Sequence, residues 1–359
     1  MKNQWFQKEE TKMKKLHKLL DVAVATTLCF ATLFAGTSCK KDARDTIAVI
    51  AKGDTHAFWQ AVKAGAEDAG NDYGYKVTFR GPTGESEQYV PEQREMLSSA
   101  LSNDKTKAVV LATIGTGFTD ELVSAFNKNI PIVEFDSGLY GNGADVTPGK
   151  DPRIGKVATD NVAASALVAT NFFNYLTTNN KIAAGKTFKL GIIQHDATAT
   201  GVDRKTGFRT KFEELATAGG YTYEIIEQVK TNNDGEYKAA AQALAEAGVD
   251  AIYMSNEGVV NEVAVEVVGA NKAKYANILF CGFDCGTRQY EWATNQGGNY
   301  PTLVGSVAQD SYNIGYKAVE MAAKKLKGET FESTVGIAGQ WYNADNIDAL
   351  KDRNIFYLG

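Results

Sequence analysis

The chain reads as an α/β protein built from two similar doubly wound parallel-sheet lobes. Two observations predict this. Short apolar, β-branched runs alternate with longer amphipathic stretches from Thr46 onward, and after about residue 160 the same alternation starts again. Repeated βαβ units imply a parallel sheet with helices on both faces. A length of 359 residues suits two domains of ordinary size.

The elements follow in order. Thr46-Ile-Ala-Val-Ile-Ala51 is a short apolar run ending at Gly53-Asp54, as expected of a buried strand. Residues 56–71 place Phe58, Trp59, Val62, Ala66 and Ala69 at helical spacing. Strands are then expected at 75–80, 107–112 and 130–135, with helices over 86–102 and 117–128. The stretch from Gly141 to Gly155, rich in Gly, Asn and Pro, is expected to be a surface loop. The second set comprises helices over 160–178, 203–218, 235–247 and 257–271, and strands over 188–193, 221–226, 249–254 and 278–282. A late strand over 333–339 implies that the chain passes between the lobes more than once.

Composition narrows the function. The formal charge of -5 gives no electrostatic case for nucleic acid. Four cysteines fit neither a disulfide scaffold nor a zinc spacing. Only His56 and His195 lie beyond the first segment, and neither a metalloprotease nor a phosphate-loop motif occurs, so no catalytic residue, metal or cofactor is expected. Residues 1–38 carry six Lys and three acids ahead of an apolar run, Val22 to Phe34, that ends in small residues. That order is a secretory signal, and the run is shorter than the roughly 20 apolar residues a membrane span needs. From Cys39 onward the charge is -8. The expected divisions are 1–38 signal peptide, 39–45 tether, 46–159 plus 310–338 first lobe, and 160–309 plus 339–359 second lobe. No helix-turn-helix precedes the first strand, so a DNA-binding role is not expected.

Ligands of open parallel sheets meet the loops at the carboxyl ends of strands. Here those loops hold Asp54-Thr-His-Ala-Phe-Trp59, Asp136-Ser-Gly, His195-Asp196, Asn256-Glu257 and Asp284-Cys-Gly-Thr. Carboxylates and amides make paired hydrogen bonds to adjacent hydroxyls, and flat rings cover the apolar face of a sugar. A polyhydroxylated ligand is the natural match.

With these motifs in this order, the chain from Thr46 to about Gly339 resembles the type I periplasmic sugar-binding proteins, the ribose- and galactose-binding group related to lactose-repressor effector domains. The matching segments are His56-Ala-Phe-Trp, Ile130-Pro-Ile-Val-Glu-Phe-Asp136, Val157-Ala-Thr-Asp160-Asn161, Arg204-Lys-Thr-Gly-Phe208, Met254-Ser-Asn256, Cys281-Gly-Phe-Asp284 and Val307-Ala-Gln309-Asp310. The resemblance implies a ligand site of His56, Phe58, Trp59, Asp136, Asp160, His195, Arg204, Asn256, Asp284 and Gln309. Asp160 also stands where it would cap a helix. Three departures from the family pattern leave the sugar unspecified: His56-Ala57 precedes the aromatic pair, Ser137 follows the acid, and the third strand ends in Ala112-Thr-Ile-Gly. Cys39, followed by Lys40-Lys41-Asp42, resembles a lipobox cysteine, implying a lipid anchor on the periplasmic face of a bacterial membrane. The implied role is a non-enzymatic receptor delivering a small sugar-like ligand to the membrane permease of an ABC-type importer by hinge closure. The alternative is a sensor, of a sugar or an autoinducer-type ligand, that presents its closed form to a membrane sensor kinase. Cys281 and Cys285 are read as two free thiols, with a disulfide-like clip as the alternative.

Overall fold

In a computed structural model, residues 43–55, 57–231, 235–296 and 300–351 are described. The expected signal segment, Cys39 and His56 lie outside them. The body from Asp45 onward contains two six-stranded sheets, each parallel except at one margin of the second.

The first sheet has the order β11-β5-β4-β3-β1-β2 and the second β12-β10-β9-β8-β6-β7. Its strands are β1 (Thr46–Ile50), β2 (Lys76–Arg80), β3 (Thr106–Leu111), β4 (Ile132–Phe135), β5 (Arg153–Thr159) and β11 (Thr334–Ile337). The second comprises β6 (Phe188–Gln194), β7 (Tyr223–Val229), β8 (Ala251–Met254), β9 (Leu279–Phe283), β10 (Leu303–Ala308) and β12 (Gln340–Tyr342). The chain therefore passes between sheets three times, after β5, β10 and β11.

Alternation along the strands explains the layers. In β1, Ile47 and Val49 face a core shared with α1 (Ala57–Tyr73) and α9 (Ser311–Lys327), while Ala48 and Ile50 face α2 (Val90–Leu101) and α3 (Thr119–Asn127). The second sheet repeats this. One face packs on α4 (Asn161–Thr178) and α5 (Ala199–Ala218), the other on α6 (Glu236–Glu246), α7 (Glu257–Val268) and α8 (Thr287–Thr294). The chain ends, among described residues, in α10 (Ile347–Lys351).

Each lobe receives a helix that follows the last central strand of the other. Helix α4 follows β5 of the first sheet and packs on α5 in the second lobe; α9 follows β10 of the second and packs on α1 in the first. The α1–α9 crossing is close: a Cβ at Gly65 would meet the Tyr312 carbonyl oxygen at 2.0 Å, and one at Gly315 would meet that of Val62 at 2.0 Å. Three tyrosine–carboxylate bonds zip the same pair, Tyr312 to Asp68 (2.8 Å), Tyr316 to Asp72 (2.8 Å) and Tyr73 to Glu320 (2.7 Å).

Two expectations need correcting. The supposed loop 141–155 ends inside β5, whose Arg153 and Lys156 hide it from an apolar-run reading; only Val157 and Thr159 of its seven residues are fully buried. The alternation read from sequence also stops at Gly282, yet α8, β10 and α9 fill the interval to 333. Strand β10 is broken by Gly305 and Ser306, and the buried side of α9 is mostly alanine and glycine, so neither gives a strong hydrophobic pattern.

Candidate functional site

Position in the two sheets makes β4 and β9 counterparts, and each ends in Phe-Asp. Asp136 and Asp284 both adopt left-handed backbone (φ 51° and 76°), tolerable for the short Asp side chain. Their amides bond across to matching positions, Asp136 N to Val157 O (3.0 Å) and Asp284 N to Val307 O (2.8 Å). Both residues thus stand at the carboxyl end of their sheet.

In the first lobe Asp136 Oδ2 lies 3.4 Å from Lys52 Nζ, which follows β1. No other side-chain partner of Asp136 is found among the described residues. Burial disfavours the Lys52 charge, but Asp136, Glu85 and Asp196 outweigh it and raise its pKa above the ordinary value. Asp196 belongs to the second lobe, so the two strand-end clusters face one another across the lobes. Trp59 is 2% exposed; its indole N–H donates to Glu85 Oε1 (2.6 Å), and it packs edge-on against Phe58 and Phe135. Phe58 is half-buried beside it.

The second lobe holds a denser arrangement. Arg204, from α5, is 4% exposed, and its guanidinium lies 3.8 Å over the Phe283 ring. Its Nε donates to Asn161 Oδ1 (2.8 Å), and its Nη1 reaches Ser255 O (3.1 Å) and Asp284 Oδ2 (3.4 Å). Asp284 Oδ2 also accepts from Glu257 N (2.9 Å), and Oδ1 accepts from Gln309 Nε2 (2.5 Å). Gln309 Oε1 in turn accepts from the Thr159 hydroxyl (2.6 Å). Such charge-assisted bonds fix a carboxylate firmly when all partners are buried.

His195, directly after β6, is buried. Its amide donates to Ser255 Oγ (2.9 Å), and its Nδ1 lies 2.8 Å from the same oxygen. The other ring nitrogen, Nε2, lies 3.5 Å from Asp196 Oδ1. Burial, opposed by Asp196 and reinforced by Arg204, lowers the His195 pKa to about 4. The ring is neutral at pH 7.

The remaining expected residues are placed as follows. Asp160 is exposed and caps α4 through Ala163 N (2.9 Å). Asn256 caps α7 through Val259 N (2.8 Å), and its amide nitrogen has no partner among the described residues. Cys281 and Cys285 are buried and not joined in a disulfide, the first within β9. No cluster of three potential metal ligands occurs among the described residues. Sequence reasoning did not assign Lys52, Glu85, Thr159, Asn161 or Ser255 to the site; the readable signals were a lysine ending the apolar run of β1 and the place of Thr159, Asn161 and Ser255 inside the matching segments. A separate open pocket of 680 Å³ lies on the outer side of α6–α8, but its charged walls are already engaged, Arg288 with Glu291 and Glu262 with the amides of Gly235, Tyr237 and Lys238.

Two lobes with facing strand-end clusters define a ligand-clamping protein, and comparison places it. Residues 47–330 match the model of the periplasmic binding protein domain, and the chain belongs to that family. It is 24% identical over 318 residues to the ribose import binding protein of Haemophilus influenzae, covering 87% of this chain and 96% of that protein. Among solved structures, it is similar to an ABC transporter, LacI family transcriptional regulator from Brachyspira murdochii (31% identity, TM-score 0.74, 88% of this chain and 100% of that one). An ABC transporter solute binding protein from Agrobacterium vitis, solved with bound D-fucose, shares the fold at 24% identity and a TM-score of 0.67, over 87% of this chain and 100% of that one. The type I arrangement expected from the sequence is therefore the observed one.

Proposed function

We propose that the chain is an exported receptor for a small polyhydroxylated ligand, a sugar, which it hands to an ABC-type importer when its lobes close. The observation that carries this reading is the facing pair of half-sites, Lys52–Asp136 from one lobe and Arg204–Asp284–Gln309 from the other. Each half offers a carboxylate with a cation beside it, the chemistry that binds vicinal hydroxyls without favouring a charged ligand. The names of the Haemophilus and Agrobacterium relatives, a ribose import protein and a D-fucose complex, support the same class. The device needs no catalytic group: ligand bridging both halves stabilises the closed form, and a membrane partner reads that form.

The lysine-rich start and the apolar run before Cys39 support export with a lipid anchor on that cysteine. Replacing Cys39 with Ala is expected to release the protein from the membrane fraction; retention would remove the anchor from the proposal. The receptor reading is tested by thermal shift and titration calorimetry with D-ribose, D-fucose and D-arabinose. A stabilising sugar whose effect is weakened in Asp136→Asn is the expected result. A melting curve unmoved by every monosaccharide would overturn it.

A further inference from the structure

The two main passages between the lobes are related by position. The first runs Thr159-Asp160-Asn161 from β5 into α4, the second Gln309-Asp310-Ser311 from β10 into α9. Asp160 and Asp310 play the same part, each capping the helix that follows, at 2.9 Å and 3.0 Å. Their neighbours do something else. Thr159 and Gln309, the residues just before those caps, bond directly to each other, joining the two passages where they cross. Gln309 then donates to Asp284, and Asn161 accepts from Arg204. Both passages are thus wired into the second half-site.

We infer that Thr159 is a positioning residue for the ligand site, acting through Gln309 on Asp284; this rests on the receptor reading above. A carboxamide can present either its oxygen or its nitrogen to a neighbour, and only one orientation serves here. The Thr159 hydroxyl donates to Oε1, which leaves the NH₂ end facing Asp284 Oδ1. All members are buried or nearly so: Thr159 is 6% and Gln309 5% exposed, so water does not readily replace a lost donor. The bond also ties the end of a first-lobe strand to a second-lobe carboxylate. A change in how tightly Asp284 is held is therefore felt where the lobes pivot, and movement at the pivot is felt by Asp284.

The test compares Thr159→Val, which keeps the shape and removes the hydroxyl, with Thr159→Ser, which keeps the hydroxyl. Calorimetric titration with D-ribose, or whichever of the three sugars binds the parent most tightly, should show about tenfold weaker binding in Thr159→Val. Thr159→Ser should stay within about twofold of the parent. Equal affinity in the parent and Thr159→Val would overturn the inference, as would equal weakening in both variants. A second measurement needs no sugar. In a cycle combining Thr159→Val with Asp284→Asn, the ligand-free melting temperatures should be non-additive by about 2 °C, because the two changes remove parts of one network. Strict additivity would overturn the relay whether or not any sugar binds. Failure of every sugar on the parent protein would instead overturn the receptor reading and leave the cycle to decide Thr159.

Discussion

Asp136 and Asp284 occupy the same place in the two sheets, with the same backbone strain and the same preceding phenylalanine, yet they are held in opposite ways. Asp284 has both oxygens engaged by buried groups, and its carbonyl oxygen accepts from Ser306 and Tyr342 as well. Asp136 has one flexible lysine, itself a quarter exposed. A carboxylate fixed by rigid donors is preorganised and contributes to the fold, whereas one paired with a lysine stem can be re-paired by a ligand at small cost. On the proposed receptor reading, the second lobe supplies a finished half-site joined to the interlobe passages, and the first lobe an adjustable one.

The hardest break of this contrast is Asp284→Ala. It removes the acceptor for Arg204, Gln309 and the Glu257 amide, and leaves a guanidinium that is 4% exposed without its counter-charge. A loss of about 3–5 kcal/mol in the unfolding free energy is expected from urea denaturation. A change under about 1 kcal/mol would mean that the network does not hold the second lobe. Next come the helix crossings, where the lobes should behave alike. Gly65→Ala pushes a methyl against the Tyr312 carbonyl, and Gly207→Ala pushes one to 2.3 Å from the Val162 carbonyl. Each is expected to cost about 1–3 kcal/mol by the same measurement, and a neutral result in one lobe alone would show that its helix pair can separate.

How much of this was legible in the sequence follows from the same geometry. Strands buried on both faces write themselves as apolar runs, so β1, β3, β6 and β9 stand out, while β5, with Arg153 and Lys156, does not. The strand-end positions of Asp136, His195 and Asp284 were readable because each follows an apolar run that the structure makes a strand. Glu85 and Thr159 were not, since their proximity to Trp59 and Gln309 depends on strand order and on where the chain crosses between lobes. For Trp59 the family resemblance implies a ligand face, while the structure gives its N–H to Glu85 and its ring to the first core.

A pH titration separates the two lobes by a smaller effect. The His195 pKa falls from 6.5 unfolded to about 4 folded, because burial disfavours its cation. The unfolded chain thus takes up a proton that the folded one refuses. Stability attributable to this group is complete above pH 6.5 and declines as the pH drops toward 4. Between pH 7.5 and 5 the expected loss is about 2 kcal/mol. Glu320, held at about 2 by Lys317, Tyr73 and Lys324 against the effect of burial, stabilises the fold above pH 4.5 and loses that contribution only as the pH falls below 4.5 toward 2. A His195→Gln variant should therefore flatten the decline above pH 5. An unchanged slope would place the acid sensitivity elsewhere.

The smallest stability effect is the sharpest test of the contrast. Asp136→Asn removes one charge of a partly exposed pair, and such pairs contribute about 0–1 kcal/mol. The melting temperature of the ligand-free protein should scarcely move, and the left-handed backbone at 136 suits Asn as well as Asp. Affinity for the bound sugar is the quantity expected to respond, falling about tenfold as a charged acceptor becomes a neutral amide. Lys52→Met should act in the same direction with a similarly quiet melting curve. If Asp136→Asn instead destabilised the free protein as much as Asp284→Ala, the first half-site would be structural too. The division into one fixed and one adjustable carboxylate would then be wrong.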